Sequence, residues 1–187
     1  MKAVESIKLC DVLQVVTKPR YVLGTTYTLS LAFFESVVLP YIDRTNLKSC
    51  LILCDMIGYQ RALTESSALQ GAAQDYMVVP ATADGCFHPK VWLIIGENEA
   101  LLLTGSGNLT QAGFMMNAEF FDALHFTSES PATPEIMTGM CSFLKGLANM
   151  WPAEDKPHLL GIETLVRMAE ELASLPTTAG DDSAPRF

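Results

Sequence analysis

The sequence predicts an α/β/α sandwich built on a mixed, largely parallel central sheet. Three observations predict it. Between residues 21 and 80, short β-branched or apolar runs alternate with helical stretches, the order of parallel strands joined by crossover helices. Two apolar runs then flank a polar turn at 96–99, the mark of a hairpin. The chain closes with two stretches of helical periodicity, at 134–149 and 161–175.

Taken in order, residues 21–28 (YVLGTTYT) are β-branched and aromatic and read as a strand. Ser30 caps a helix over LAFFESVVL, which Pro40 stops. The continuous apolar run CLILCD at 50–55 reads as a strand buried on both faces. A helix at 58–69 and a strand at 76–80 (YMVVP) follow. Residues 87–95 and 100–104 form the hairpin around Gly96-Glu97-Asn98-Glu99, and EFFDALHF at 119–126 is a further strand. The helix at 134–149 presents Ile136, Met137, Met140, Phe143, Leu144 and Leu147, with Pro134 near its start. The last helix presents Ile162, Leu165, Val166, Ala169 and Leu172 on one face. There is no internal repeat.

At 187 residues the chain is long enough for one domain with a real core, expected over 1–175, with a linker or disordered tail at 176–187. The composition suggests one domain cut from something longer. Hydrophobic residues make up 49% and charged ones 18%, and no apolar run reaches membrane-spanning length. The N-terminus carries acids within its apolar stretch and no small-residue cleavage site, so it does not read as a signal peptide. Five cysteines without an export signal point to a reducing cytoplasm. The net charge of −9 argues against a stand-alone nucleic-acid binder. The charge is uneven: residues 1–61 hold seven Lys/Arg against five Asp/Glu, residues 62–150 two against nine, and 151–187 three against seven. Either a cleft is locally basic, or a fused domain or a partner grips any polyanionic substrate.

The chemistry concentrates in residues 87–119, FHPKVWLIIGENEALLLTGSGNLTQAGFMMNAE. His88 and Lys90 are one residue apart, so on an extended strand they share a face. Ser106, sixteen residues after Lys90, sits in Gly105-Ser106-Gly107-Asn108, where small residues let backbone approach a ligand. Glu119 follows Asn108 by eleven residues. An imidazole, an ammonium, an amide, a hydroxyl and a carboxylate suit an anion attacked by nitrogen. Cys50, Cys54, Cys86 and His88 could in principle ligate zinc, but no C-x₂-C knuckle exists and the flanks are apolar, so the three cysteines read as buried thiols. His125 and His158 read as structural, and Asp84 as a turn residue with Gly85. Met115-Met116 and the aromatic pairs at 33–34 and 120–121 read as core or interface.

These residues resemble the phospholipase D superfamily, whose signature is H-x-K followed by G-S-x-N. The likeness is closest to its nuclease branch of small bacterial endonucleases and metal-independent restriction enzymes. His88, Lys90, Ser106, Asn108 and Glu119 match residue by residue, whereas the family's Asp five residues after the Lys is Ile95 here. The resemblance implies a phospholipase D-like fold and metal-independent phosphodiester cleavage through a phosphohistidine, with no cofactor and no metal. His88, Lys90, Asn108 and Glu119 would be catalytic, and Ser106, Gly105 and Gly107 would bind substrate. Glu119 would accept a hydrogen bond from the far nitrogen of His88. A second histidine would protonate the leaving oxygen. Since the chain has one H-x-K, a homodimer sharing one active site is expected, with Phe114, Met115 and Met116 as interface material. The implied substrate is nucleic acid, DNA ahead of RNA, with no membrane role. The implied setting is the nuclease part of a restriction or phage-defence protein, with a fused or separate helicase/ATPase or DNA-binding component. The alternatives are a non-catalytic dimerisation or nucleic-acid-holding module and a phospholipid phosphodiesterase.

Overall fold

The computed structural model describes residues 9–82, 85–151 and 158–178. The start of the N-terminal stretch, Asp84 and the tail beyond 178 lie outside the described residues.

The chain opens with a helical turn, α1 (Leu9–Val12), and the first strand, β1 (Tyr21–Thr26). Ser30 then caps α2 (Leu31–Phe33), its side chain accepting from the Phe33 N–H at 3.3 Å. The expected single helix continues as a π-helical turn (Phe34–Val38) and a 3-10 turn (Leu39–Tyr41) that holds Pro40. β2 (Ser49–Asp55) leads directly into α3 (Met56–Ala62), which starts earlier than its periodicity suggested because Asp55 caps it, and which tightens into a 3-10 segment (Leu63–Ala68). β3 (Met77–Ala81), β4 (Val91–Ile95), β5 (Ala100–Gly105) and β6 (Phe121–Phe126) follow, with a second π-helical turn (Ala112–Met116) between β5 and β6. Two long helices, α4 (Pro134–Ala148) and α5 (Leu159–Ala173), complete the fold. Within the stretch expected as tail, Thr177 bridges to Ala132, and the Thr178 N–H donates to the Ala132 carbonyl at 2.9 Å.

The sheet order is β3-β2-β1-β4-β5-β6. β1 pairs in parallel with β2, and β2 with β3; β1–β4, β4–β5 and β5–β6 are antiparallel. The sheet is mixed, as expected, but its parallel share is smaller than the sequence suggested. The reason is in the connections: parallel strands need a long crossover, and β4 and β5 are joined only by the turn at 96–99.

Alternate residues of each strand feed two cores. Val22, Ile52, Trp92, Ile94, Leu101 and Leu103 pack with Leu9, Phe33, Phe34 and Val38 on one face. Leu23, Leu51, Val79, Leu93 and Ile95 pack with Met140, Leu144, Leu165, Met168 and Leu172 on the other. Helical cover on both faces makes this an α/β/α sandwich. The apolar face of α5 differs in one position from expectation: Val166 is 43% exposed. It follows Leu165 by one residue, so it is turned about 100° away from the stripe through Gly161, Leu165, Met168 and Leu172. No helix among the described residues is long and apolar enough to cross a membrane.

Candidate active site

The site lies where the C-terminal ends of β1 and β2 meet the start of β4 and the end of β5. His88 and Lys90 sit just before β4 rather than on it, in the extended segment leading to Val91. Pro89 supplies no backbone donor there. The segment is instead tied by the Phe87 N–H to Asp55 Oδ2 (2.9 Å) and by the Gly105 N–H to the Lys90 carbonyl (3.1 Å). His88 is exposed, while Lys90 is only 8% exposed. The two side chains still converge, with Lys90 Nζ 2.8 Å from His88 Nδ1, 3.3 Å from Nε2 and 3.1 Å from the His88 carbonyl oxygen. An ammonium only donates, so at the shorter contact Nδ1 accepts. Burial holds the Lys90 ammonium below the usual lysine value, against the opposing pull of Cys86 and Glu119. The Tyr27 ring lies against the imidazole, with centroids 5.0 Å apart and planes at 33°.

The G-S-x-N loop is packed too tightly for side chains at its glycines. A Cβ on Gly105 would come within 2.4 Å of the Phe120 carbonyl oxygen, and one on Gly107 within 2.5 Å of that of Gly113. Asn108 is anchored by its amide oxygen, which accepts from the Tyr27 and Thr28 N–H groups at 3.2 Å each. That leaves the amide NH₂ as the end with donors to offer. Thr26 Oγ1 accepts from the Leu109 N–H at 2.9 Å and donates to the Thr28 carbonyl at 2.7 Å. Thr25 Oγ1 accepts from the Val91 N–H at 2.8 Å. Two adjacent threonines thus hold both halves of the motif.

Glu119 is placed differently from expectation. Its Oε2 accepts from the Ser106 hydroxyl and its Oε1 from Asn117 Nδ2 at 3.1 Å, so its oxygens are engaged by Ser106 and Asn117 rather than by His88. The Ser106 oxygen also accepts from the Phe120 N–H at 3.1 Å. The Ser106 and Asn117 bonds, with Lys90 adding a smaller pull, hold the Glu119 carboxyl below the usual glutamate range. The carboxylate reaches the rest of the site through Ser106 and through the charge of Lys90. This arises because Glu119 precedes β6, beside the strand-end turn, instead of opening that strand as the sequence suggested.

The remaining positions sort as follows. His125 Nε2 sits 2.8 Å from Glu99 Oε2 at the opposite end of β5 and β6, and His158 stacks on Trp151 with centroids 5.4 Å apart. Cys50 and Cys54 are buried, and burial pushes both thiols up to about 12, with Asp55 adding to the effect at Cys54. Cys86 is exposed, a correction to its reading as a buried thiol; it precedes the strand instead of lying in it. Phe114 packs edge-on against Phe33 and Trp92, both at 5.8 Å. Met115, Met116 and Phe120 stay exposed, Phe120 at 74%. Ile95, where the resembled family carries Asp, is fully buried and pairs with Tyr21 and Ala100. It lies at the far end of β4, roughly 16 Å along the strand from Lys90. Among the described residues, no three His, Cys, Asp or Glu side chains converge as a metal site.

Sequence reasoning missed Thr25, Thr26, Tyr27, Asp55 and Asn117. Asp55 carried a usable signal, an Asp at the junction of an apolar strand and a helix. Its carboxylate does two jobs, capping α3 through the Ile57 N–H at 2.9 Å and holding Phe87. The threonines carried none, since hydroxyls at a strand end look like any β-branched residue. Three cations of the first third are engaged by carboxylates. Arg20, just before β1, pairs with Glu171, Lys48 lies 3.7 Å from the same carboxylate, and Arg44 pairs with Asp75 at 2.7 Å.

Compared with known proteins, the sequence matches no family model and no curated protein. Its fold does match solved structures. A mutant of yeast tyrosyl-DNA phosphodiesterase superposes with a TM-score of 0.54 at 14% identity, covering 85% of this chain and 36% of that one. Nuc from Salmonella typhimurium, a phospholipase D family member, superposes with a TM-score of 0.52 at 16% identity, covering 75% of this chain and 84% of that one. The chain thus spans about a third of the yeast protein and most of the bacterial one. Sheet order, helical cover and these superpositions lead to one conclusion: the chain has the fold of the phospholipase D superfamily.

Proposed function

We propose that the protein is a metal-independent phosphodiesterase, a nuclease that acts on DNA in preference to RNA through a phosphohistidine intermediate. The observation that carries this reading is the 2.8 Å contact between Lys90 Nζ and His88 Nδ1 beside the anchored Asn108, on this fold. A histidine nitrogen attacks phosphorus, the P–O bond to the leaving group breaks, and a second histidine protonates the departing oxygen. Water, deprotonated by that second histidine, then displaces the phosphoryl group from the first. Lys90 and the Asn108 NH₂ stabilise the charge on the non-bridging oxygens, with backbone N–H groups around Ser106 assisting. Glu119 holds Ser106 and adds its charge beside Lys90, a supporting role in place of direct orientation of the imidazole.

One H-x-K per chain supports a homodimer whose two His88 residues face each other. The exposed Met115 and Met116 beside the loop are suited to that interface. Arg20, Lys48 and Arg44 are engaged by carboxylates, so a fused or separate helicase/ATPase or DNA-binding component is the better source of grip on the substrate. A role in restriction or phage defence within the cytoplasm is the setting in which we place such a nuclease.

The test pairs plasmid nicking with headgroup release from phosphatidylcholine vesicles, each with EDTA and with Mg²⁺. Nicking that persists in EDTA, with no headgroup release, is expected. Activity that disappears in EDTA and returns with Mg²⁺ would remove the mechanism. The same paired-off cations favour a second reading, a non-catalytic module that dimerises or holds nucleic acid, and inactivity in both assays would select it.

A further inference from the structure

The Glu119 carboxylate is engaged by Ser106 and Asn117, so the exposed His88 imidazole needs another restraint on its plane. Rotation about the last side-chain bond of histidine is soft. Lys90 restrains the ring through its ammonium, 2.8 Å from Nδ1 and 3.3 Å from Nε2. The face of the ring meets Tyr27, whose centroid is 5.0 Å away with the planes tilted by 33°. The centroid separation lies within the range over which aromatic rings attract.

Tyr27 is itself held on both sides. Its N–H donates to Asn108 Oδ1 at 3.2 Å, and its carbonyl oxygen accepts from Cys54 Sγ at 3.5 Å. Helix α3 packs Gly58 directly on that carbonyl: a Cβ there would come within 2.1 Å of the oxygen. The peptide that anchors Asn108 therefore also carries the ring that meets His88.

We propose that Tyr27 is a positioning residue of this site. Its ring fixes the plane of the His88 imidazole and keeps a nitrogen aimed at the phosphorus of an incoming phosphodiester. The inference rests on the phosphodiesterase reading and deepens it. The ring face does the positioning and the phenol hydroxyl takes no part.

The test uses the full chain, with bis(4-nitrophenyl) phosphate as probe, in wild type, Tyr27→Phe, Tyr27→Leu and Tyr27→Met. Tyr27→Phe should keep kcat within about twofold, whereas the Leu and Met variants should lose about tenfold in kcat with KM nearly unchanged. In parallel, the His88 Cε1 proton, assigned by its loss in His88→Ala, should show an aromatic ring-current shift in wild type and Tyr27→Phe. That shift should vanish in the Leu and Met variants while overall spectral dispersion persists. Either apolar variant retaining full kcat with the ring-current shift lost overturns the inference. So does a Tyr27→Phe variant as slow as Tyr27→Leu, since that would assign the role to the hydroxyl. The two readings fail separately: wild type inactive on this probe and on plasmid refutes the phosphodiesterase and Tyr27's role with it, while an active wild type indifferent to Tyr27→Leu refutes Tyr27 alone.

Discussion

The two halves of the sheet are built differently. In the parallel half, β1 is buried at every residue and β2 at all but its first. In the antiparallel half, β6 at the edge leaves four successive residues exposed, from Asp122 to His125. The division of labour follows the same line. His88, Lys90, Ser106, Asn108 and Glu119 all belong to the segments around β4, β5 and β6. Thr25, Thr26, Tyr27 and Asp55, which hold them, come from the ends of β1 and β2. The doubly covered half supports the candidate site, and the more open half carries the H-x-K and G-S-x-N residues, as expected of a site placed on firmly packed strands.

The largest effect should come from the open half. His88→Ala should lower plasmid nicking in EDTA by at least about a thousandfold, since in the proposed mechanism nucleophile and acid are the same side chain in two copies. Its thermal melt should barely move, because the residue is exposed. A folded His88→Ala protein with full activity would relocate the chemistry.

Lys90→Met should cost about a hundredfold in rate yet stabilise the fold by about 1 kcal/mol. Burial holds the Lys90 ammonium below its usual 10.5, so the folded state binds fewer protons than the unfolded state in the interval between. Stability should therefore rise with pH across that interval, and the cost of the buried charge is complete below it. Urea melts of both proteins should differ most near neutral pH and converge toward pH 10.5. A destabilised Lys90→Met protein would mean that the His88 contacts outweigh desolvation.

Thr26→Val tests the supporting half. It keeps the shape, but strands the Leu109 N–H and frees the Thr28 carbonyl. A loss of about 1–3 kcal/mol in chemical denaturation is expected, together with about a tenfold fall in rate as Asn108 shifts. Unchanged kinetics in a destabilised protein would show that the clamp serves the fold alone.

The smallest effect is expected on β6. Leu124→Lys should change stability by no more than about 0.5 kcal/mol, whereas Leu51→Ala in β2 should cost about 2–5 kcal/mol. Equal costs in denaturant melts, rising with protein concentration, would reveal that a second copy covers β6 in solution.

The same contrast explains what could be read from the sequence. Strand β2 announced itself as CLILCD because burial on both faces demands an unbroken apolar run. The H-x-K and G-S-x-N residues were legible because the resembled motif is defined by those residue types at those intervals. The hydrogen-bond partner of Glu119 was not legible: it depends on whether β6 begins at residue 119 or 121, a shift of two residues that no pattern resolves. Val166 was misplaced because an apolar residue at the margin of a helical stripe matches the period almost as well as one at its centre. The supporting threonines were invisible because their role lies in contacts between distant parts of the chain.

The pairing of Tyr21 with Ile95 also bears on the order in which the protein folds. Strands β4, β5 and β6 are consecutive and pair with their immediate successors, whereas joining β1 to β4 closes a loop through β2, α3 and β3. Long loops close late, because their entropy is lost before the contacts compensate. The candidate site straddles that junction, so the protein should acquire compactness before the proposed activity. In a refolding experiment, hydrogen-exchange protection of the β4–β5 hairpin amides should precede recovery of plasmid nicking by a resolvable lag. Simultaneous recovery would mean that the junction closes as early as the hairpins, and that the chain never exists as a collapsed but inert form.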